Sequence, residues 1–239
     1  MSFLQNKVVI ITGASSGIGA AIAKELDALG MKLVLSARSQ DKLDQLAASL
    51  NNASVLAGAI TDVDMPQKLV NFALQTFGQL DVVLNNAGGM TVGSIEEVDI
   101  EAICQMVRLN VESVYRMAYI ALRHFKQVGS GFLINTSSIS GLKTVPRYGA
   151  YNGTKYAVEA FTDALRMELA GTGIKVAAIA PGTVDTGLYD HWNAEDKSYI
   201  NSGGALQPED IARCVRFILE QPEHVLIPHL LVVPRDQPV

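Results

Sequence analysis

The stretch Thr12-Gly13-Ala14-Ser15-Ser16-Gly17-Ile18-Gly19 decides the fold. It follows a short apolar run at residues 7–12 and precedes a run with helical periodicity at residues 18–29. The three glycines let the backbone turn sharply and approach a bulky anion, and the start of the helix offers free N–H groups and partial positive charge to a phosphate. The position of this turn, after a strand and before a helix, predicts a phosphate-binding site.

Outward from this turn, strand-like and helix-like segments alternate along the chain. The patterns predict strands at residues 7–12, 32–36, 55–60, 81–84, 132–136, 175–180 and 230–233, and helices at 18–29, 40–50, 66–77, 100–127, 150–170 and 208–220. Repeated β-α units with nearly continuous apolar strands are typical of a parallel sheet covered by helices on both faces. No Pro/Gly/Ser-rich linker divides the chain, so we predict one doubly wound α/β domain over residues 1–239. Residues 182–206 are the least regular piece and are predicted to form a substrate-binding loop or lid.

Composition narrows the classes of function. Apolar residues make up 49% and charged residues 18%, which fits a globular protein with a sizeable core. The 19 Lys and Arg against 24 Asp and Glu give a net charge of −5, which disfavours non-specific nucleic-acid binding. The apolar runs are too short for a membrane span or an export signal, so a cytoplasmic protein without a membrane partner is expected. Four scattered histidines lack metal-ligand spacing, so no metal is expected, and Cys104 and Cys214 are expected to be buried thiols rather than a disulfide.

Tyr151 and Lys155 lie four residues apart in the predicted helix at 150–170, so both side chains leave the same face. A free tyrosine has a pKa near 10 and is a poor acid or base at neutral pH. A cation about 4 Å away, at an effective dielectric constant near 20, supplies about 4 kcal/mol, enough to lower the phenol pKa by about three units. The pair therefore predicts a tyrosine that exchanges a proton with a substrate oxygen, although the same spacing also occurs in ordinary amphipathic helices.

The motifs together resemble the short-chain dehydrogenase/reductase (SDR) family. The matching features are the TGASSGIG turn, Asn85-Asn86-Ala87-Gly88 after the fourth strand, and Ser138 placed thirteen residues before Tyr151, and they cover the chain from about residue 7 to 187. The resemblance implies a Rossmann fold, a nicotinamide cofactor, and transfer of a hydride between that cofactor and a small carbonyl or alcohol.

The resemblance also implies a set of cofactor-binding residues. The end of the second strand selects the cofactor, because NAD-binding folds place an acidic residue there on the ribose hydroxyls. Here that position is Ala37, and Arg38 beside it is able to bind a 2′-phosphate, so NADP(H) is expected over NAD(H), the alternative being an ordinary solvated arginine. Asp62 has a plain helix-capping alternative. The implied cofactor-binding residues are Gly13, Ser15, Ser16, Gly17, Ile18, Gly19, Arg38, Asp62, Val63, Asn86, Ala87, Gly88, Tyr151, Lys155, Pro181, Gly182, Val184 and Thr186.

The implied catalytic residues are Asn110, Ser138, Tyr151 and Lys155. Ser138 would hold the substrate oxygen, with Ser137 as the neighbouring alternative. In the family, the asparagine that Asn110 matches is thought to anchor a water in a proton relay to the lysine.

The expected substrate pocket lies at the carboxyl ends of the strands and is mostly apolar, with Arg147 and His191 as exceptions. Its residues are Gly89, Met90, Ser140, Tyr148, Tyr189 and Trp192. The wide apolar arc of the helix at 150–170 predicts burial on two sides, which agrees with the homodimers and homotetramers usual in the family. The ending at 230–239 lacks the glycine-rich sequence of many ketoacyl-reductase-like members, which argues against a fatty-acid role.

Two other classes of function stay open at this point. One is a cofactor-sensing or regulatory protein without turnover, which would need only the glycine turn and Arg38. The other is a non-redox enzyme on the same scaffold, such as an epimerase or lyase that consumes no cofactor overall.

Overall fold

A computed structural model of the chain describes residues 4–189 and 204–237. Seven parallel strands form one sheet in the order β3-β2-β1-β4-β5-β6-β7. The strands are β1 Val8–Thr12, β2 Lys32–Ser36, β3 Ala53–Val55, β4 Val82–Asn85, β5 Gly131–Thr136, β6 Ile174–Pro181 and β7 His229–Val232. The helices are α1 Gly17–Ala28, α2 Gln40–Ala47, α3 Met65–Phe77, α4 Ile100–Val107, α5 Ser113–Val128, α6 Gly149–Glu168 and α7 Pro208–Leu219, with 3₁₀ turns at Ile139–Gly141 and Gly187–Tyr189. The predicted doubly wound parallel sheet is confirmed.

The core lies on both faces of the sheet because successive strand residues point to opposite sides. From β1, Val9 and Ile11 pack with residues of α1 and α7 on one face, whereas Val8 and Ile10 pack with residues of α3, α5 and α6 on the other. All of β1 is buried. This two-sided burial explains why its sequence is apolar at every position rather than at alternate ones.

The predicted third strand is wrong in position. The strand is Ala53–Val55, not residues 55–60. After Val55 the chain stays close to β2 through single bonds from Leu56 N to Leu35 O and from Gly58 N to Ala37 O. Its apolar residues therefore follow the sheet edge without forming a ladder, and the segment leads toward the ends of the strands.

The predicted helix at 100–127 is interrupted. Between α4 and α5 lies a turn of π-helix, Arg108–Glu112, in which Ser113 N bonds to Arg108 O. The Ser113 hydroxyl also donates to Leu109 O at 2.6 Å. The extra residue in this turn accompanies the burial of Asn110, which is only 1% exposed.

The cysteines differ from the expected buried thiols. Cys104 on α4 is exposed and Cys214 on α7 is partly buried, and both are free.

None of the helices within residues 4–189 and 204–237 is long and apolar enough to cross a bilayer.

Replacing Gly131 with alanine tests the packing between α5 and β5. A Cβ at Gly131 would lie 2.2 Å from Cγ of Phe125, whose side chain is fully buried. We expect Gly131→Ala to lower the free energy of unfolding by about 2–3 kcal/mol, because the ring has no space to move into. Chemical denaturation measures this change.

Gly149→Ala is the matched control, since a Cβ there meets nothing within 4 Å. Equal stability of the two variants would contradict the tight packing of Phe125 against β5.

Candidate active site

The glycine turn after β1 packs directly against the segment after β4. Thr12 Oγ1 accepts bonds from Asn86 N and Ala87 N at 3.0 and 3.1 Å, and Asn86 Nδ2 donates to Thr12 O at 3.2 Å. Gly13 has φ +68°, and a Cβ on it would lie 2.8 Å from Ala87 Cα. The two motifs found in the sequence are thus parts of one structure at the ends of neighbouring strands.

A cleft of about 1720 Å³ runs along the carboxyl ends of the strands. Its volume exceeds the roughly 300–1,000 Å³ usual for one small ligand, so it has room for a dinucleotide and a second reactant. Most of the predicted site residues line it: Gly13, Ser15, Ser16, Gly17, Ile18, Arg38, Asn86, Ala87, Gly88, Gly89, Met90, Ser138, Ser140, Tyr148, Tyr151, Lys155, Pro181, Gly182, Val184 and Thr186.

Several predicted residues lie elsewhere. Asp62 and Val63 follow Thr61, the last residue of this segment in the lining; Asp62 N bonds to Ala59 O, Val63 is 67% exposed, and their part in cofactor binding stays a prediction. Gly19 lies under the turn, where a Cβ would meet Gly13 O at 2.3 Å. The Tyr189 side chain and Trp192, like most of the predicted loop at 182–206, fall outside the described residues.

The charged residues of the described lining are all basic: Arg38, Lys42, Arg108 and Lys155. Arg38 and Lys42 lie at the end of the cleft next to β2, around Ser39, the N-cap of α2. The Arg108 guanidinium lies 3.8 Å from Glu101. Sequence reasoning missed Lys42, although its spacing of four from Arg38 across a helix start was a usable signal.

Tyr151 and Lys155 lie on the inner face of α6 and are 6% and 7% exposed. Lys155 Nζ lies 5.8 Å from the centre of the Tyr151 ring and donates to Thr136 O at the end of β5 at 3.0 Å. Burial lowers the pKa of Lys155 to about 8, and the nearby Glu159 carboxylate opposes that shift. The amine therefore lies near the tyrosine ring and gives up its proton more readily than an ordinary lysine.

The two candidate serines differ in accessibility. The Ser138 hydroxyl accepts from Ser140 N at 3.1 Å and lies 3.5 Å from Pro181 O, and the residue lines the cleft. Ser137 also belongs to the lining, but its hydroxyl is inaccessible and has no hydrogen-bond partner among the described residues. The geometry therefore favours Ser138 over Ser137 as the residue that contacts a substrate.

Asn110 does not line the cleft but holds the backbone that does. Its Oδ1 accepts from Gly89 N and its Nδ2 donates to Gly89 O, both at 2.8 Å, and Nδ2 also contacts Thr154 Oγ1 at 3.2 Å. Thr154 in turn donates to Tyr151 O at 2.7 Å. The Asn110 side chain thus joins the segment after β4 to the helix that carries Tyr151.

The segment after β6 closes one side of the cleft. Thr186 packs on the glycine turn, since a Cβ at Gly17 would lie 3.1 Å from its Cγ2. Val184 and Leu206 form a parallel bridge, so the two ends of the predicted loop are joined. Gln237, which sequence reasoning missed, also lines the cleft here and accepts from Thr183 N at 2.9 Å.

The side of the cleft beside Tyr151 is apolar. Met90, Met106 and Tyr151 form a cluster against which Val92, Tyr148, Ala150 and Leu188 pack. Arg147, one predicted exception, lies outside the lining and its guanidinium faces Glu97 at 3.7 Å. His191 lies outside the described residues.

Residues 7–197 match the family described as short chain dehydrogenase. Over 236 residues the chain is 38% identical to an uncharacterised oxidoreductase of Staphylococcus aureus (strain USA300), covering 98% of this chain and all of the relative. A second uncharacterised oxidoreductase, from Staphylococcus saprophyticus, is 37% identical over 238 residues, 97% of this chain and 98% of its own.

Solved structures of similar shape agree with these sequence matches. A variant of actinorhodin polyketide ketoreductase with NADPH has a TM-score of 0.88 at 29% identity and covers 98% of both chains. An alcohol dehydrogenase from the archaeon Thermococcus sibiricus, complexed with 5-hydroxy-NADP, has a TM-score of 0.88 at 30% identity and covers 98% of this chain and 99% of its own. Taken with the geometry of the cleft, these matches show that the chain belongs to the short-chain dehydrogenase family of oxidoreductases.

Proposed function

We propose that this oxidoreductase moves a hydride between NADP(H) and a small carbonyl or alcohol, with Tyr151 as the general acid and base. The observation that carries the proposal is the make-up of the cleft, where the charged residues of the described lining are basic in a chain of net charge −5. A cleft without carboxylates at its described lining suits a ligand with several phosphates. The glycine turn supports the same ligand. Cβ atoms at Gly13 and Gly19 would clash with neighbouring backbone, so only glycines allow this tight turn at the start of α1, where free N–H groups can bind a phosphate.

NADP(H) is proposed over NAD(H) because of the residues at the end of β2. Ala37 offers no carboxylate to ribose hydroxyls, whereas Arg38 and Lys42 offer two cations to a 2′-phosphate. The names of the two similar structures, with NADPH and 5-hydroxy-NADP, support the same choice.

Bound NADPH would supply a hydride to the carbonyl carbon of the substrate. Tyr151 would donate its phenolic proton to the carbonyl oxygen, and the Ser138 hydroxyl would hold that oxygen and stabilise the charge forming on it. Lys155 would stabilise the resulting phenolate through its positive charge. In the direction of oxidation the phenolate takes the proton back.

The substrate is proposed to be small and largely apolar. Met90, Met106 and Leu188 surround the approach to Tyr151. The guanidinium groups of Arg108 and Arg147 each face a glutamate, which reduces their attraction for an anionic substrate.

A homodimer or homotetramer is proposed from an apolar surface on α5 and α6. Tyr119, Tyr156 and Met167 are 49%, 42% and 61% exposed there, and Phe161 packs between Tyr115 and Tyr119. Large exposed apolar side chains on neighbouring helices are typical of protein contacts.

The cofactor choice is tested by titrating the native protein, Arg38→Ala and Lys42→Ala with NADPH and with NADH. We expect native binding to favour NADPH and each variant to weaken NADPH binding about tenfold, since each loses a charge-assisted contact, with little change for NADH. Lys24→Ala, at an exposed lysine on α1, is the control. Equal binding of both nucleotides by the native protein would reject the preference.

The role of Tyr151 is tested by Tyr151→Phe, with NADPH oxidation followed against a panel of small apolar ketones and aldehydes. We expect kcat to fall by about 10²–10⁴, the usual contribution of a general acid, while the NADPH Kd stays within about twofold. Tyr156→Phe removes an exposed hydroxyl from the same helix and should retain full activity. Near-native turnover by Tyr151→Phe would exclude Tyr151 as the acid, and NADPH binding without turnover by the native protein would favour a sensor.

The burial of Lys155 predicts a pH-dependent cost in stability. Between pH 8 and 10.5 the folded protein holds fewer protons on this amine than the unfolded chain, so the penalty is complete below pH 8 and disappears as the pH rises. Without cofactor, we expect the free energy of unfolding of Lys155→Met to be about 2 kcal/mol higher than that of the native protein at pH 7. This gain in stability should shrink as the pH rises toward 10.5. Lys24→Met is the exposed control, and a gain that does not change with pH would contradict the burial argument.

A further inference from the structure

Gln237 lines the cleft at the end of β6 from a part of the chain that the family motifs do not reach. The tail, residues 233–237, follows β7 and turns back at the buried Pro234, with Gln237 N bonded to Pro234 O at 3.1 Å. This turn returns the Gln237 side chain to the end of β6, where it lines the cleft.

The amide of Gln237 fills a space that only glycine leaves open. A Cβ at Gly182 would lie 2.3 Å from Gln237 Oε1 and 3.1 Å from Pro234 Cδ. The Gly182 N–H is itself bonded to Val232 O at 2.7 Å, so β7 brings the tail alongside β6. Gly182 and Gln237 are therefore complementary in shape.

Both backbone hydrogen-bonding groups of Thr183 have partners. Its N–H donates to Gln237 Oε1 at 2.9 Å, and its carbonyl accepts from Leu206 N at 2.9 Å. Thr183 is 6% exposed, so its N–H would have little water to replace the glutamine if that bond were lost. The next residues, Val184 and Thr186, line the cleft, and Thr186 packs on Gly17.

We propose that Gln237 is a positioning residue for cofactor binding, which holds the Thr183 amide and thereby sets the backbone from 183 to 186 at the end of β6, where it lines the cleft. This inference rests on the proposed NADP(H) function. It places a requirement for cofactor affinity in the tail, outside residues 7–197 that match the family.

The test compares Gln237→Met, which removes the acceptor at similar size, with Gln237→Glu, which keeps an acceptor oxygen. Gln221→Met is the control, since Gln221 is only partly buried and its amide makes an exposed bond to Phe217 O of α7. Hydrogen exchange of the Thr183 amide is measured in the protein without cofactor, and the NADPH Kd is measured by fluorescence.

We expect Gln237→Met to speed exchange at Thr183 and to raise the NADPH Kd about fivefold, the usual effect of losing one hydrogen bond. Gln237→Glu should restore slow exchange, because a carboxylate oxygen accepts the same bond. Its added negative charge repels the cofactor phosphates, so its Kd is compared with that of the native protein at the same high salt concentration, where we expect the two to agree within about twofold. Gln221→Met should change neither quantity.

Unchanged exchange at Thr183 in Gln237→Met would show that Gln237 does not hold the Thr183 amide. Faster exchange with an unchanged NADPH Kd would show that the tail has a purely structural role, and would reject the inference. A Kd for Gln237→Glu as weak as that of Gln237→Met at high salt, despite slow exchange, would show that affinity does not depend on the Thr183 bond. Failure of the native protein to bind NADPH or NADH would reject the proposed function together with this inference. Native binding with an unaltered Kd in Gln237→Met rejects the inference alone.

Discussion

The close approach of Gly13 to Ala87 is the constraint on which the rest of the site depends. Two parallel strands, β1 and β4, end side by side, and the backbone at Gly13 approaches the backbone at Ala87 so closely that a Cβ at Gly13 would lie 2.8 Å from Ala87 Cα. Thr12 Oγ1 satisfies the amides of Asn86 and Ala87, which would otherwise be unpaired at this edge. Because β2 and α1 lie on one side of this junction and β5 and α6 on the other, the crevice between them receives groups from both halves of the sheet. A side chain at position 13 would separate the halves and remove the crevice.

The buried positive charge of Lys155 is a second constraint on the site. Burial of Lys155 works against its positive charge, yet the lysine keeps a carbonyl partner in Thr136 O and a carboxylate one helical turn away in Glu159. Glu159 also bonds to His229 Nε2 at 3.2 Å, and this contact raises the pKa of His229. The carboxylate thus interacts with a cation in the cleft on one side and with the first residue of β7 on the other. The site is held by compensated charges rather than by an isolated ammonium, which would be costly to bury.

Local pattern was enough for most of the fold and for the proximity of Tyr151 and Lys155, whereas Ser138 and Asn110 were predicted from the family resemblance. Six of the seven strands lie within one residue of their predicted bounds, because buried parallel strands are apolar throughout. The strand Ala53–Val55 was misplaced because it is short and only partly buried. The π-helical turn at Arg108–Glu112 was missed because one inserted residue leaves the helical periodicity intact on both sides. Cys104 was predicted to be buried because free cysteines in helices usually are, although α4 buries only Met106. Gln237 could not be found, since only the tertiary fold brings it to Thr183.

The contact between Gln237 and Thr183 also has a consequence for how the protein is made. A ribosome delivers the glycine turn at Thr12–Gly19 early, whereas Gln237 follows only after every strand of the described sheet has been synthesised. A nascent chain therefore exposes its nucleotide turn long before the opposite wall of the cleft is in place. Chains cut short by proteolysis or early termination near residue 232 would keep all seven strands and the Tyr151–Lys155 pair, yet lack the residue that holds Thr183. Such fragments would resemble the intact protein in secondary structure and differ from it in one wall of the cleft.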